Sequence, residues 1–340
     1  MDYVSPDLAT PAGWLPVVFL ALMGISMLAY VVLDGYDLGV GLLLRYADDA
    51  QKDRMIASIG PFWDANETWL VLGVGLMLTA FPLAHGVVLS ALYLPVAGML
   101  IGLTLRGVAF EFRAKADAGH KPLWNLAFFG GSLLATFAQG TMLGWYILGF
   151  DDGTGSLLFA VFAGFALCAG YGLLGATWLI MKTEGELQRR AVRWARSTLW
   201  ATAAGIAAIS VATPLVSARI FEKWFSLPNV IGLAPIPLAT ATLFLVIAGV
   251  LKRLPAPQDR WCWVPFAATV GIFVLAFLGL AYSLFPYLVV DRITIWEAAS
   301  APESLMIILV GAAIVLPTIG GYTFYAYRVF RGKARDLTYL

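Results

Sequence analysis

Charge is what this sequence is shortest of. Only 13% of its 340 residues are Asp, Glu, Lys or Arg, against about 25% in an ordinary soluble domain, while 60% are hydrophobic. Neither sign dominates: 22 basic and 21 acidic residues give a net charge of +1, so bulk electrostatics offers no hold on nucleic acid. Cysteine is nearly absent. Cys168 and Cys262 fall in apolar runs, which excludes a disulfide framework and any CxxC metal site. Basic residues are missing ahead of the first apolar run, where only Asp2 and Asp7 are charged. A secretory signal starts basic, so this run is expected to stay as a transmembrane helix.

What remains is long apolar runs. A helix needs about 20 apolar residues to cross about 30 Å of hydrocarbon. Nine candidates occur, at about 14–44, 59–81, 87–110, 123–148, 157–181, 198–216, 236–251, 263–285 and 305–327. The expected fold is therefore all-α and polytopic, one integral membrane domain with approximate halves at 14–150 and 157–285 and a last helix at 305–327. Gly35-x-x-x-Gly39 and Gly98-x-x-x-Gly102 offer smooth faces for close helix contact. Eighteen of the 22 Lys and Arg fall in one set of alternating loops. The opposite set has only Arg219, Lys223 and Arg292, and Arg106 lies within a span. By the positive-inside rule the N-terminus faces outward and the C-terminus the cytoplasm.

Histidine is confined to His85, in a predicted outer loop, and His120, in a predicted cytoplasmic loop. Haem iron is usually held by His, Met, Cys or Tyr, and two loop histidines cannot ligate several haems. Redox cofactors, if any, are expected mainly on a partner. Polar Asp291, Arg292, Trp296, Glu297 and Glu303 gather in another outer loop and read as a solvated cap or docking edge.

Charges inside spans cost roughly 2.5–3.5 kcal/mol each on insertion scales, yet the first three spans carry Asp34, Asp37, Asp64, Glu67 and Arg106. At about 1.5 Å rise per residue, Asp37 lies roughly 12 Å from Arg45, Asp64 roughly 15 Å from Arg54, and Arg106 roughly 10 Å from Arg113. Three helices thus place charge at similar depth. Asp34/Asp37 and Asp64/Glu67 are i,i+3 pairs that project from one face of each helix. Four carboxylates exceed one guanidinium, and crowding with desolvation favours protons that exchange among them. One reading makes this acid cluster the mouth of a proton path; another makes Arg106 with Asp37 or Asp64 a helix clasp, with Asp34 at headgroup level. Trp63, flat and adjacent, adds a stacking surface suited to a quinone head. A secondary transporter could use the same charges as a coupling site, but no paired mid-span breaks occur in the two halves.

The stretches DGYDLGVGLLLR (34–45), WDANETWLVLGVGLMLTAFPLAH (63–85) and LRGVAFEFR (105–113) resemble signatures of cytochrome bd-type quinol oxidase subunit II, cyanide-insensitive variants included. GATWLIMKTEGELQRRA (175–191), FPYLVV (285–290) and TIWEAASAPESL (294–305) follow in the order that family has. The resemblance covers the chain from about residue 14 onward. It implies two four-helix bundles plus one peripheral helix, in the bacterial plasma membrane. It implies a heterodimer with subunit I, which would hold two b-type haems and one d-type haem, and in some members a small single-helix accessory subunit. The implied reaction is oxidation of quinol and reduction of oxygen to water with cytoplasmic protons, this chain contributing no haem ligand. Carried over by position, Asp64 matches the family acid on the proton route. Trp63, Asp37, Arg106 and Asp64 match positions lining a pocket for a structural quinone.

Overall fold

The computed structural model describes residues 6–117 and 119–334. Asp2 and the cytoplasmic-set Arg335 lie outside them. The first helix, α1 (Pro11–Leu43), opens on a proline, whose fixed φ and missing N–H suit the first helical position. There follow α2 (Asp49–Ile59), α3 (Trp63–Ala80), α4 (Pro82–Ala91), α5 (Tyr93–Lys115), α6 (Lys121–Ile147), α7 (Thr154–Lys182) and α8 (Gly185–Val216). The remainder comprises α9 (Ala218–Phe225), α10 (Asn229–Leu233), α11 (Pro235–Leu251), α12 (Val264–Leu284), a hairpin of β1 (Tyr287–Val289) and β2 (Ile293–Thr294), α13 (Ile295–Ala298) and α14 (Pro302–Val329).

Among the described residues eight helical segments are long and apolar enough to cross a membrane. The chain is an all-α, multi-pass membrane protein. The difference from nine falls on the second predicted span. It becomes α3, only 18 residues long, and Asp64, Asn66 and Glu67 in its first five residues dilute its apolar content. The third predicted span also divides, between α4 and α5 at Leu92. Pro95 explains the break: it has no N–H to give, and its ring would clash with the carbonyl of Ala91 in a continuous helix. The sixth begins earlier than expected, because Glu186–Arg196 are good helix formers and continue α8 beyond the apolar run.

α1 packs on α3, α6 and α7, α6 joins α5 to α7, α7 continues to α8, and α11 pairs with α12. Two of these contacts depend on glycine. A Cβ at Gly39 would lie 1.8 Å from the Tyr171 carbonyl oxygen, and one at Gly175 2.3 Å from the Gly39 carbonyl carbon. One at Gly131 would lie 2.6 Å from the Gly102 carbonyl oxygen and 2.7 Å from the Arg106 nitrogen. Without lipid-side hydrophobic gain, such backbone approach supplies dispersion contact between membrane helices. Large apolar side chains remain outside, among them Leu215, Leu227 and Ile307, all more than three-quarters exposed, as a lipid- or partner-facing surface requires.

The predicted polar cap keeps Asp291, Arg292, Glu297 and Glu303 exposed on a hydrogen-bonded framework. β1 and β2 pair antiparallel, and α13 opens on a capping box in which the Thr294 N–H and hydroxyl both reach Glu297 Oε2 at 2.8 Å. These two donors hold the Glu297 carboxyl below the usual carboxylate range. Trp296 Nε1 donates to the Gly13 carbonyl, Ser300 N to that of Ala80, and Tyr146 Oη to that of Leu288. The cap thereby ties α1, α3 and α6 together.

Candidate functional site

α1 brings Tyr30, Asp34 and Asp37 to one face, since residues spaced by four and three stack along a helix. Facing them, α3 contributes Asn66 and Glu67, and α5 contributes Arg106. The contact at Gly131 lets the α5 backbone come close to α6 just at Arg106. Arg106 Nη2 lies 2.7 Å from Asp34 Oδ1, and the same nitrogen bonds Glu67 Oε1. Asp34 is 0% and Arg106 1% exposed, whereas the Glu67 side chain keeps 27%. The cluster is closed at its core and open at Glu67. Among the described residues Arg106 Nε and Nη1 have no hydrogen-bond partner, so the guanidinium meets both carboxylates through Nη2.

A second group adjoins it. Asn66 Nδ2 donates to Asp37 Oδ2 at 2.7 Å and to the Tyr36 hydroxyl at 3.0 Å. The Tyr36 and Tyr327 hydroxyls are 2.5 Å apart, and Tyr327 donates to Asn66 Oδ1 at 3.3 Å. One turn before Asp34, Tyr30 accepts from Gln139 Nε2 at 2.7 Å, and Tyr171 donates to Gln139 Oε1 at 2.9 Å. Tyr36 also stacks on Trp178 at 4.1 Å between ring centroids. A buried polar network of this kind is stable only when its members satisfy one another.

The structure regroups the residues singled out in the sequence. Asp34, which the clasp reading put at headgroup level, is fully buried and is an Arg106 partner; Glu67, counted in the acid cluster, is the other. Asp37 and Asp64 make no ion pair with Arg106 among the described residues. Counting along each helix gives depth but not the direction around the axis, and Asp64, second in α3, points to the exposed side. Trp63 is half-buried, its ring 5.9 Å from the Arg106 guanidinium carbon and 4.9 Å from Phe110. The four residues matched to a quinone pocket do not share an open wall, because Asp37 and Arg106 are sealed while Asp64 is exposed. They do not fit a quinone head in this arrangement. His85 lies on α4 rather than in a loop, and His120 just ahead of α6 is 2.7 Å from Asp117. Among the described residues no group of three or more His, Cys, Asp or Glu is placed to hold a metal.

Tyr36, Tyr327, Tyr30, Gln139 and Tyr171 escaped the sequence reading. The two signals were Gln139, an amide within an apolar run, and Tyr30, one turn from Asp34.

A model of the family described as cytochrome bd terminal oxidase subunit II matches residues 15–330. The chain belongs to this family. Cytochrome bd ubiquinol oxidase subunit 2 from Bacillus subtilis (strain 168) is 28% identical over 340 residues, covering 92% of this chain and 94% of its own. Cytochrome bd-I ubiquinol oxidase subunit 2 from Escherichia coli (strain K12) is 27% identical over 357 residues, covering 92% and 93%. A chain in a structure of the bd oxidase from Geobacillus thermodenitrificans superposes with a TM-score of 0.73 at 18% identity, over 94% of this chain and 99% of that one. At that identity the match speaks for the fold alone. This subunit II chain thus shares its architecture along nearly its whole length.

Proposed function

We propose that the chain serves as subunit II of a bd-type quinol:oxygen oxidoreductase in a bacterial plasma membrane, beside a haem-bearing subunit I, and that its acid–arginine cluster handles cytoplasmic protons used to reduce oxygen to water. Family membership supports the first part. For the second, the observation that carries the reading is the graded burial around Arg106: Asp64 exposed, Glu67 part-buried one turn on, Asp34 and Arg106 sealed. Three nearby carboxyl groups, Asp34, Asp37 and Glu67, outnumber the single guanidinium. Pairing cannot neutralise them all, and the surplus supplies sites where a proton can rest.

The reading places Asp64 as the acceptor at the accessible edge and Glu67 as the next carrier. Arg106 holds the geometry and offsets negative charge. Haems and the oxygen site belong to subunit I, and no step is assigned to a quinone on this chain. The excess of basic residues in one loop set supports an outward N-terminus and a cytoplasmic C-terminus. With that orientation the Arg45 end of α1 and the cluster lie toward the cytoplasm. Two four-helix bundles in one membrane domain, with α14 as the added helix, complete the proposed arrangement.

The test is quinol-driven oxygen consumption by the purified two-subunit enzyme carrying Asp64→Asn or Glu67→Gln. Each is expected to lower turnover by about tenfold or more, as loss of a proton carrier does, with haem content and subunit ratio unchanged. Full turnover in both correctly assembled variants would remove the proton-handling reading and leave a structural subunit.

A further inference from the structure

The last helix carries an unexplained arrangement at its end. α14 buries only Leu305, Ala312 and Ala326, yet the segment that follows is hooked to three other parts of the chain. Lys182 Nζ donates to the carbonyls of Phe330 and Gly332 at 2.7 and 3.1 Å. Lys333 Nζ donates to the Thr183 carbonyl at 2.9 Å and pairs with Asp259 at 2.8 Å. Ala334 N donates to the Lys182 carbonyl at 2.8 Å, and Arg54 Nη1 to the Ala334 carbonyl at 2.7 Å. A hook this well bonded on so sparsely packed a helix fixes something beyond the helix itself.

What it fixes is Tyr327, one turn earlier, whose ring stacks on Phe62 at 4.5 Å. The hydroxyl closes a ring of three hydrogen bonds with one consistent direction. Asn66 Nδ2 donates to Tyr36, Tyr36 donates to Tyr327, and Tyr327 donates to Asn66 Oδ1. An amide has two distinguishable ends, and only its NH2 end can donate to a carboxylate. With Oδ1 held by Tyr327, Nδ2 must face Asp37 Oδ2. Without the Tyr327 hydroxyl, Oδ1 loses that donor, and the amide is held from its Nδ2 end alone, by Asp37, Tyr36 and the Leu33 carbonyl. The Nδ2 end is also marked by the Leu33 carbonyl, to which it donates at 3.3 Å, and among the described residues Tyr327 is the partner that holds the Oδ1 end.

We propose that Tyr327 is a positioning residue of the acid–arginine site, acting through Asn66 to set the donor presented to Asp37, and that the hook at residues 330–334 exists to hold it there. This rests on the reading of that site as proton-handling. It gives the last helix a function in the site although it contributes no charge.

The experiment compares wild type, Tyr327→Phe, Asp37→Asn and the double variant in the purified two-subunit enzyme, with turnover followed across pH. Tyr327→Phe keeps the stack on Phe62 and removes only the hydroxyl. It is expected to lower turnover about three- to tenfold, the range for one lost hydrogen bond, and to displace the pH profile, with yield and melting temperature retained. In the Asp37→Asn background it is expected to add nothing. An equal loss in both backgrounds overturns the proposal in favour of ordinary packing. So does wild-type behaviour of Tyr327→Phe when Asp37→Asn is slow, which leaves the proton-handling reading standing. Wild-type turnover and pH profile in Asp37→Asn overturns this proposal, while the proton-handling reading stands or falls with Asp64→Asn and Glu67→Gln. Should Asp37→Asn fail to assemble, Asn66→Ala takes its place, since the second substitution must again add nothing.

Discussion

Arg106 shows how much one residue can decide in an apolar surrounding. Its guanidinium is sealed against Asp34 and shared with Glu67, so its removal leaves a carboxylate group with 0% exposure and no cation. Breaking a buried pair costs about 3–5 kcal/mol. Arg106→Gln is accordingly expected to lower the yield and melting temperature of the assembled enzyme sharply, while Arg106→Lys, which keeps the charge, should lose less. Equal melting of Arg106→Gln and wild type would show the pair to be dispensable. Arg106, Asp37 and Asp64 could be picked from the sequence because charge inside an apolar run is costly and therefore conspicuous. Asn66, Tyr36 and Tyr327 could not. Uncharged polar side chains carry a smaller penalty, and only the fold reveals that residues 36, 66 and 327 meet.

At the scale of elements, the glycine contacts set the spacing on which the site depends. The Gly35-x-x-x-Gly39 motif pointed to a close helix contact, and Gly39 makes one, against Tyr171 and Gly175 of α7. A methyl group there would collide with backbone, which cannot give way as a side-chain tip can. Gly39→Ala is expected to destabilise the assembled enzyme by about 1–3 kcal/mol, the usual cost of overpacking. Gly75→Ala on α3, with nothing within 4 Å of the added methyl, should be neutral or slightly stabilising. Parallel thermal melts of the two variants separate the cases, and a neutral Gly39→Ala would mean α1 and α7 can part without loss. α3 illustrates the opposite lesson. Its apolar run announced a span, but the acids that give the chain its chemistry also dilute the apolar content of this helix.

For the whole molecule, the apolar exterior and the polar cap place opposite demands on charge. Lys223, on the short α9, donates to the carbonyls of Tyr282 and Phe285 at 2.7 and 2.8 Å. Burial, and then Arg219 beside it, lower its ammonium group to about 8. Free lysine titrates near 10.4, so the unfolded chain binds more protons than the folded one between those values. Stability owed to this group therefore rises with pH from about 8 toward about 10. Wild type should gain thermal stability relative to Lys223→Met between pH 7 and pH 9.5. A difference that stays constant over that window would show that the folded state places no strain on the charge.

The sequence by itself determined that this chain spans a membrane many times, that it carries costly charge on its first three spans, and which family it resembles. Hydrophobic runs, basic-residue asymmetry and local motifs are properties of the linear chain, so they survive without a fold. The tertiary structure decided who pairs with whom. It gave Arg106 to Asp34 and Glu67 instead of Asp37 or Asp64, put Asp64 on the exposed side of α3, and brought Tyr327 from the far end of the chain to Asn66. The physical reason is that depth follows from counting residues, whereas facing direction follows from how helices rotate to pack. That rotation is set by backbone contacts such as Gly39 with Gly175, between residues 136 positions apart.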